Sequence, residues 1–232
     1  MIELHLAARL LPAGEAYLEV GTYKGRSLCG AVIGVSDRTF YASENYLEFG
    51  MLGQEAQDEL RRNLAEHAAG VDVRLIEGDC FVTLATPGVI QQPVGVYFYD
   101  GKHTTLAHYL ALGLVEPLLA DEALVLVDDA TWPVVQKAHR AYLSRHPGWS
   151  VVARWDAKQT GDPLWANGLH ALKYVRPAGR RYGHTRDVAW LRRAQVGAVG
   201  PAESAAWHTL HRFPQLVPLA KKLYPKKPSR IP

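Results

Sequence analysis

Seven stretches of the chain concentrate apolar, β-branched and aromatic residues over five to eight positions: 16 to 20 (AYLEV), 39 to 44 (TFYASE), 71 to 78 (VDVRLIEG), 94 to 100 (VGVYFYD), 123 to 129 (ALVLVDD), 150 to 156 (SVVARWD) and 169 to 175 (LHALKYV). Each has the length and composition of a strand. Between the early ones the period changes to that of a helix. Leu60, Leu64 and Ala68 recur every fourth residue within 53 to 69, and Val134, Ala138 and Tyr142 do so within 133 to 146. Alternation of strand and helix predicts right-handed βαβ crossovers and a mostly parallel sheet. Residues 94 to 99 and 123 to 127 are apolar almost throughout, as expected of strands covered on both faces. The last two strands are joined only by AKQTGDPLWANG, which is rich in turn residues, and so predict an antiparallel hairpin at the sheet edge.

Composition narrows the class. The chain has 232 residues, 48% apolar and 21% charged, which suits one α/β domain with an appendage. No run approaches the roughly 18 apolar residues of a membrane span. The first residues carry an acid at position 3 and no basic region ahead of a long apolar segment, so they do not read as a secretory signal, and a cytoplasmic location is expected. Cys29 and Cys80 lack the spacing of a zinc site or a redox pair and are expected to be reduced. The net charge of +3 hides an asymmetry: residues 1 to 176 carry −6, residues 177 to 232 carry +9. We therefore divide the chain into a body, 1 to 176, and a basic, partly helical extension, 177 to 232.

Candidate chemistry lies at the strand ends. YLEVGTYKGRSL places Glu19, Gly21 and Gly25 where the first strand gives way to a helix starting near Gly25, with Thr22 and Ser27 in the same turn. Glycines there permit a sharp turn and a close backbone approach to a ligand. The spacing E-x-G-x-x-x-G is not that of the pyrophosphate-binding dinucleotide enzymes. It points to a neutral or cationic cofactor beside an acid, and it also serves a plain tight turn. Glu44 ends the second strand, where an acid can accept both hydroxyls of a ribose. Asp79 ends the third, where a carboxylate can accept from an adenine amino group while the Cys80 N–H donates to a ring nitrogen.

In these elements the chain resembles the class I S-adenosylmethionine-dependent methyltransferases, over about residues 14 to 176. The resemblance implies a Rossmann-like sheet in the order 3-2-1-4-5-7-6, its last strand antiparallel, with helices on both faces. It implies S-adenosylmethionine lying across the ends of strands 1 to 4, held by Glu19, Gly21, Thr22, Gly25, Ser27, Glu44, Asp79, Cys80 and Asp100. Strands 4 and 5 are then neighbours about 4.8 Å apart. Their ends bring together Asp100, Asp128 and Asp129, three carboxylates that would raise one another's pKa unless a cation neutralised them. Such a cluster suits Mg²⁺ or another hard divalent ion. Adjacent residues of a regular strand face opposite ways, so Asp128 and Asp129 can share an ion only if the chain is already turning.

The segment YDGKHTTLAHYLAL is similar to the D-G-x-H signature of bacterial metal-dependent O-methyltransferases, and the aspartates to the ligand set of the catechol and antibiotic-sugar types. That resemblance implies Asp100, Asp128 and Asp129 as metal ligands and His103 as catalytic base beside Asp100. His103 is preferred to Lys102 because an imidazole titrates near neutral pH. The expected reaction moves a methyl group to a hydroxyl of a small molecule, a sugar or natural product, with Mg²⁺ activating the acceptor. Chelation is then expected to abolish transfer and spare cofactor binding. Two alternatives stand beside it: a metal-free methyltransferase, and a nucleic-acid-binding or RNA-modifying protein gripping phosphates through its basic tail.

The extension interleaves Arg and Lys with Trp190, Trp207, Phe213 and Tyr224, and reads as a substrate lid, an arm of a homo-oligomer, or a contact for nucleic acid or an anionic surface. Trp190, Leu191, Val196, Leu210, Leu216 and Leu219 predict short helices packed on something, and the final YPKKPSRIP predicts disorder. His108 and His139 fall within helical patterns and read as packed or surface histidines. His184, His208 and His211 lack metal spacing. Trp132 reads either as a wall of the acceptor pocket or as cover for the sheet edge.

Overall fold

A computed structural model describes residues 2–46, 51–159, 161–179, 183–213 and 215, with backbone only at Met51, Trp207 and His211. The expected disorder of the last nine residues, and Leu216, Leu219 and Tyr224, lie outside them. All seven predicted strands form: β1 (Ala16–Val20), β2 (Thr39–Glu44), β3 (Asp72–Glu77), β4 (Val94–Tyr99), β5 (Leu119–Val127), β6 (Trp149–Trp155) and β7 (Leu169–Val175). They make one sheet in the order β3-β2-β1-β4-β5-β7-β6. β1 to β5 pair in parallel, and β7 runs antiparallel to both β5 and β6. β5 begins earlier than its pattern suggested. Asp121 and Glu122 are exposed charges, held in the strand by Arg176 and Lys173.

Burial follows position in the sheet. Every residue of the central β4 is buried, whereas the edge strand β6 alternates. Each face of the sheet has its own core. On one face α1 (Ile2–Arg9), α2 (Arg26–Val32) and α3 (Met51–His67) cover Tyr17, Phe40, Val96 and Phe98. On the other α4 (Cys80–Thr83), α5 (Thr105–Val115) and α6 (Pro133–Leu143) cover Leu18, Tyr41, Tyr97 and Val125. Thr104 caps α5 by accepting from the Ala107 N–H at 3.1 Å. Residues 107 to 115 of α5 are all buried, because the sheet lies beneath them, α6 beside them and the extension above.

The described part of the extension is helical: α7 (Arg186–Ala194), a π-turn (Gln195–Val199) and α8 (Gly200–Arg212). It docks on the body. Val188 is 1% exposed and so close to Gly113 that a Cβ there would stand 2.5 Å from it. Asp187 accepts from the Tyr109 hydroxyl at 2.5 Å and faces His146 at 3.2 Å, and Arg192 donates to the Phe81 carbonyl at 2.6 Å. Neither Cys29 nor Cys80 forms a disulfide. Among the described residues no helix is long and apolar enough to cross a membrane.

Candidate active site

The carboxyl ends of β1 to β4 open on a groove of ≈480 Å³, walled by Gly21, Glu44, Asp79, Cys80 and Gly101. Gly21 has φ +94°, and a Cβ on it would stand 2.1 Å from the Asp100 carbonyl oxygen, so only glycine lets the ends of β1 and β4 approach this closely. Glu44 is held at the rim by two backbone donors, the N–H groups of Tyr23 at 2.7 Å and Asn45 at 2.8 Å. Asp79 caps α4, its Oδ1 accepting from the Phe81 N–H at 2.8 Å.

The remaining residues of the expected cofactor set lie elsewhere. Gly25 (φ +83°) precedes α2 beside Leu60, whose Cδ1 would be 2.3 Å from an added Cβ. Thr22 is buried. Glu19 is wholly buried, and its carboxylate accepts from the Ser27 hydroxyl at 2.8 Å and the Tyr17 hydroxyl at 3.0 Å. Burial dominates and pushes it up to about 7, with the Glu44 charge adding to it and the Ser27, Tyr17 and Thr22 hydroxyls opposing. Because the folded state holds this proton more tightly than the unfolded chain, the carboxyl costs nothing while protonated in both. Stability is lost as pH rises from the ordinary 4.5 through about 7, by about 3 kcal/mol above that. Glu19→Gln is therefore expected to raise the urea midpoint at pH 8, by an amount that shrinks toward pH 5. A difference independent of pH would contradict this account.

Ser27 and Asp100 open on a second cavity of ≈690 Å³, walled also by Phe98, Asp128, Trp165 and Arg26. Asp100 and Gly101 are consecutive, so residues at the end of β4 line both cavities. Burial first, then Asp128 and Asp129, push the Asp100 carboxyl up to about 8. Burial and the Asp129 charge push Asp128 up to about 6, against a hydrogen bond from the Asp129 backbone.

Asp129 has a different task. β5 ends at Val127, and Asp129 takes φ +53°, a left-handed conformation that aspartate tolerates better than most residues. This turn separates it from Asp128. Its Oδ1 accepts from the Asn167 side-chain amide at 2.7 Å and its Oδ2 lies 3.2 Å from His103 Nε2. Asn167 is placed by the start of β7: the Ala130 and Thr131 N–H groups donate to the Gly168 and Asn167 carbonyls at 3.0 Å. Gly168, at φ +91°, has no room for a Cβ against Thr131 Oγ1, 2.0 Å away.

His103 also stands 3.6 Å from Asp100, and its Nδ1 lies 3.2 Å from His108 Nε2. Burial and the neighbouring histidines push His108 well below the ordinary range, so it is neutral and can share one proton with His103. Trp132 is buried with its ring edge-on to His103 at 5.0 Å, and covers the sheet edge there. Lys102 pairs with Glu203 of α8, and His139 is packed in the interior. Among the described residues no group of three or more His, Cys, Asp or Glu side chains is arranged to hold a metal ion. Asn167 had no sequence signal, because its contact with Asp129 joins segments 38 residues apart; the pairing of His103 with His108, five residues on, depends on where α5 begins.

Residues 18–130 match the family model of a methyltransferase domain. The search of curated proteins returned no significant match. Among solved structures, the O-methyltransferase TomG of Streptomyces achromogenes, involved in tomaymycin synthesis and solved with S-adenosylmethionine, superposes at a TM-score of 0.56 and 22% identity, over 75% of this chain and 78% of that one. The O-methyltransferase of Bacillus cereus, solved with S-adenosylhomocysteine, gives 0.57 and 17%, over 75% and 81%. A putative caffeoyl-CoA O-methyltransferase of Staphylococcus aureus gives 0.55 and 18%, over 75% and 83%. The strand order and these superpositions give the chain the fold of the class I S-adenosylmethionine-dependent methyltransferases, and within it residues 18–130 are similar to a methyltransferase domain.

Proposed function

We propose that this protein transfers the methyl group of S-adenosylmethionine to a hydroxyl of a small molecule. The cofactor takes the groove over β1 to β4, with Glu44 on the ribose and the Asp79–Cys80 corner on the adenine. The acceptor takes the second cavity. The observation that carries this reading is the place of Asp100 on the wall of the second cavity, next in the chain to Gly101 of the groove, with its raised carboxyl toward the space an acceptor hydroxyl would fill. The acceptor cavity sets Glu3, Asp128 and Asp162 against Arg26, a net negative wall even with Asp100 protonated, which disfavours polyanionic nucleic acid and suits a neutral or cationic polyhydroxyl compound.

The methyl of a sulfonium is already activated, so the missing element is removal of the hydroxyl proton. Asp100, on the cavity wall, accepts it. His103, oriented by Asp129 and His108, stands behind Asp100 at 3.6 Å. Titration calorimetry with S-adenosylhomocysteine, followed by an acceptor screen that detects its release, tests the reading; failure to bind it at millimolar concentration would remove it.

A second reading is favoured by the crowding of Asp100 and Asp128. Mg²⁺ commonly binds through one or two carboxylates and keeps its remaining positions for water and substrate, a donor set these two residues fit. Asp129, engaged by Asn167 and His103, does not join them. When bound, the ion would lower the pKa of the acceptor hydroxyl, and His103 would then be the proton acceptor. Chelation separates the readings. With Asp100 as base, kcat stays within about twofold after exhaustive EDTA treatment. A loss restored by Mg²⁺ assigns Asp100 and Asp128 to the ion.

A further inference from the structure

The groove over β1 to β4 has a wall that does not belong to the sheet: Gln195, Val196, Gly200, Pro201 and Ser204, from the π-turn and the start of α8, line it opposite Gly21, Glu44 and Asp79. The shape of this segment has a local cause. Pro201 sits within a continuous helical run, where it lacks an N–H and crowds the carbonyl four residues back. The helix widens to accommodate it, and the Gly200 N–H donates to the Gln195 carbonyl, five residues away. Widening at this point puts Gln195 on the groove side, where it is 3% exposed. The segment is fastened at both ends. Arg192 donates to the Phe81 carbonyl at 2.6 Å, next to the Asp79–Cys80 corner, and Glu203 pairs with Lys102, two residues after Asp100.

We infer that residues 195–204 form the outer half of the donor-cofactor site, with Gln195 supplying a side-chain amide to the nucleoside half of S-adenosylmethionine and Val196 and Pro201 covering it from water. The inference rests on the proposal that this groove takes the cofactor. An adenosine moiety offers both donors and acceptors to a side-chain amide on this wall. The extension is thus part of the binding machinery of the methyltransferase domain, and its attachment through Lys102 joins closure of the groove to the loop that carries Asp100.

Calorimetry on the full chain tests this with S-adenosylhomocysteine and with methylthioadenosine, which lacks the amino-acid half. Gln195→Leu is expected to weaken both ligands by the same factor, about tenfold, as expected for one lost polar contact. Ser204→Trp, which projects a ring into the groove, is expected to weaken them by more. Ala205→Trp, its exposed neighbour outside the groove, is expected to bind as wild type. Bound S-adenosylhomocysteine should also slow amide exchange across 195–204. If wild type binds S-adenosylhomocysteine while Gln195→Leu and Ser204→Trp, folded by circular dichroism, match it and exchange is unaltered, the inference is overturned and the proposed function stands. If wild type does not bind it, both fall.

Discussion

Asp100→Asn is expected to lower kcat by about 10²- to 10⁴-fold, the usual contribution of a positioned general base, with little change in affinity for S-adenosylhomocysteine. The amide matches the carboxylate in shape but cannot accept the proton. The pH profile supplies an independent check. Burial with Asp128 and Asp129 raises this carboxyl to about 8. A base must be deprotonated to act, so kcat/KM of the wild type rises with pH and levels off above about 8, and Asp100→Asn loses that limb. His103→Ala removes the side chain 3.6 Å from Asp100 and is expected to lower the rate. A wild-type profile flat between pH 6 and 9, or an Asp100→Asn variant within a few-fold of wild type, removes Asp100 from the chemistry.

The second large effect is steric. Gly21→Ala is expected to destabilise the protein by about 2–4 kcal/mol, combining the strain of a left-handed alanine with displacement of the Asp100 carbonyl that its Cβ would meet at 2.1 Å. Gly14→Ala is the control. Gly14 has φ +85° with nothing within 4 Å of an added Cβ, so it carries the conformational cost alone, about 1–2 kcal/mol. Urea midpoints at constant m-value measure both. Gly21→Ala should also impair cofactor binding, since the close approach of β1 and β4 forms the floor of the groove. Equal losses for the two variants would show that the contact with Asp100 contributes nothing.

Hydrophobic patterning determined the elements of the sheet. The apolar, β-branched stretches of the strands, the fourfold spacing in 53 to 69 and 133 to 146, and the turn residues between β6 and β7 are local properties, and the structure follows each. The strand order came from the resemblance rather than from the pattern, since periodicity does not say which strands are neighbours. The short α1 went unread, and so did the exposed start of β5, where Asp121 and Glu122 depend on the distant partners Arg176 and Lys173. Side-chain chemistry at the strand ends was legible as residue type only. That Asp100 and Asp128 share a cavity while Asp129 turns to His103 and Asn167 depends on one left-handed residue and on the packing of Gly168 against Thr131. The basic extension could be seen as helical and as different in charge, but its docking over the groove is a tertiary fact. It arises because Pro201 widens a helix, Val188 finds the gap at Gly113, and Lys102 meets Glu203 across 101 residues of chain. Sequence fixes what a short segment prefers; only the folded chain fixes which preferences come within reach of one another.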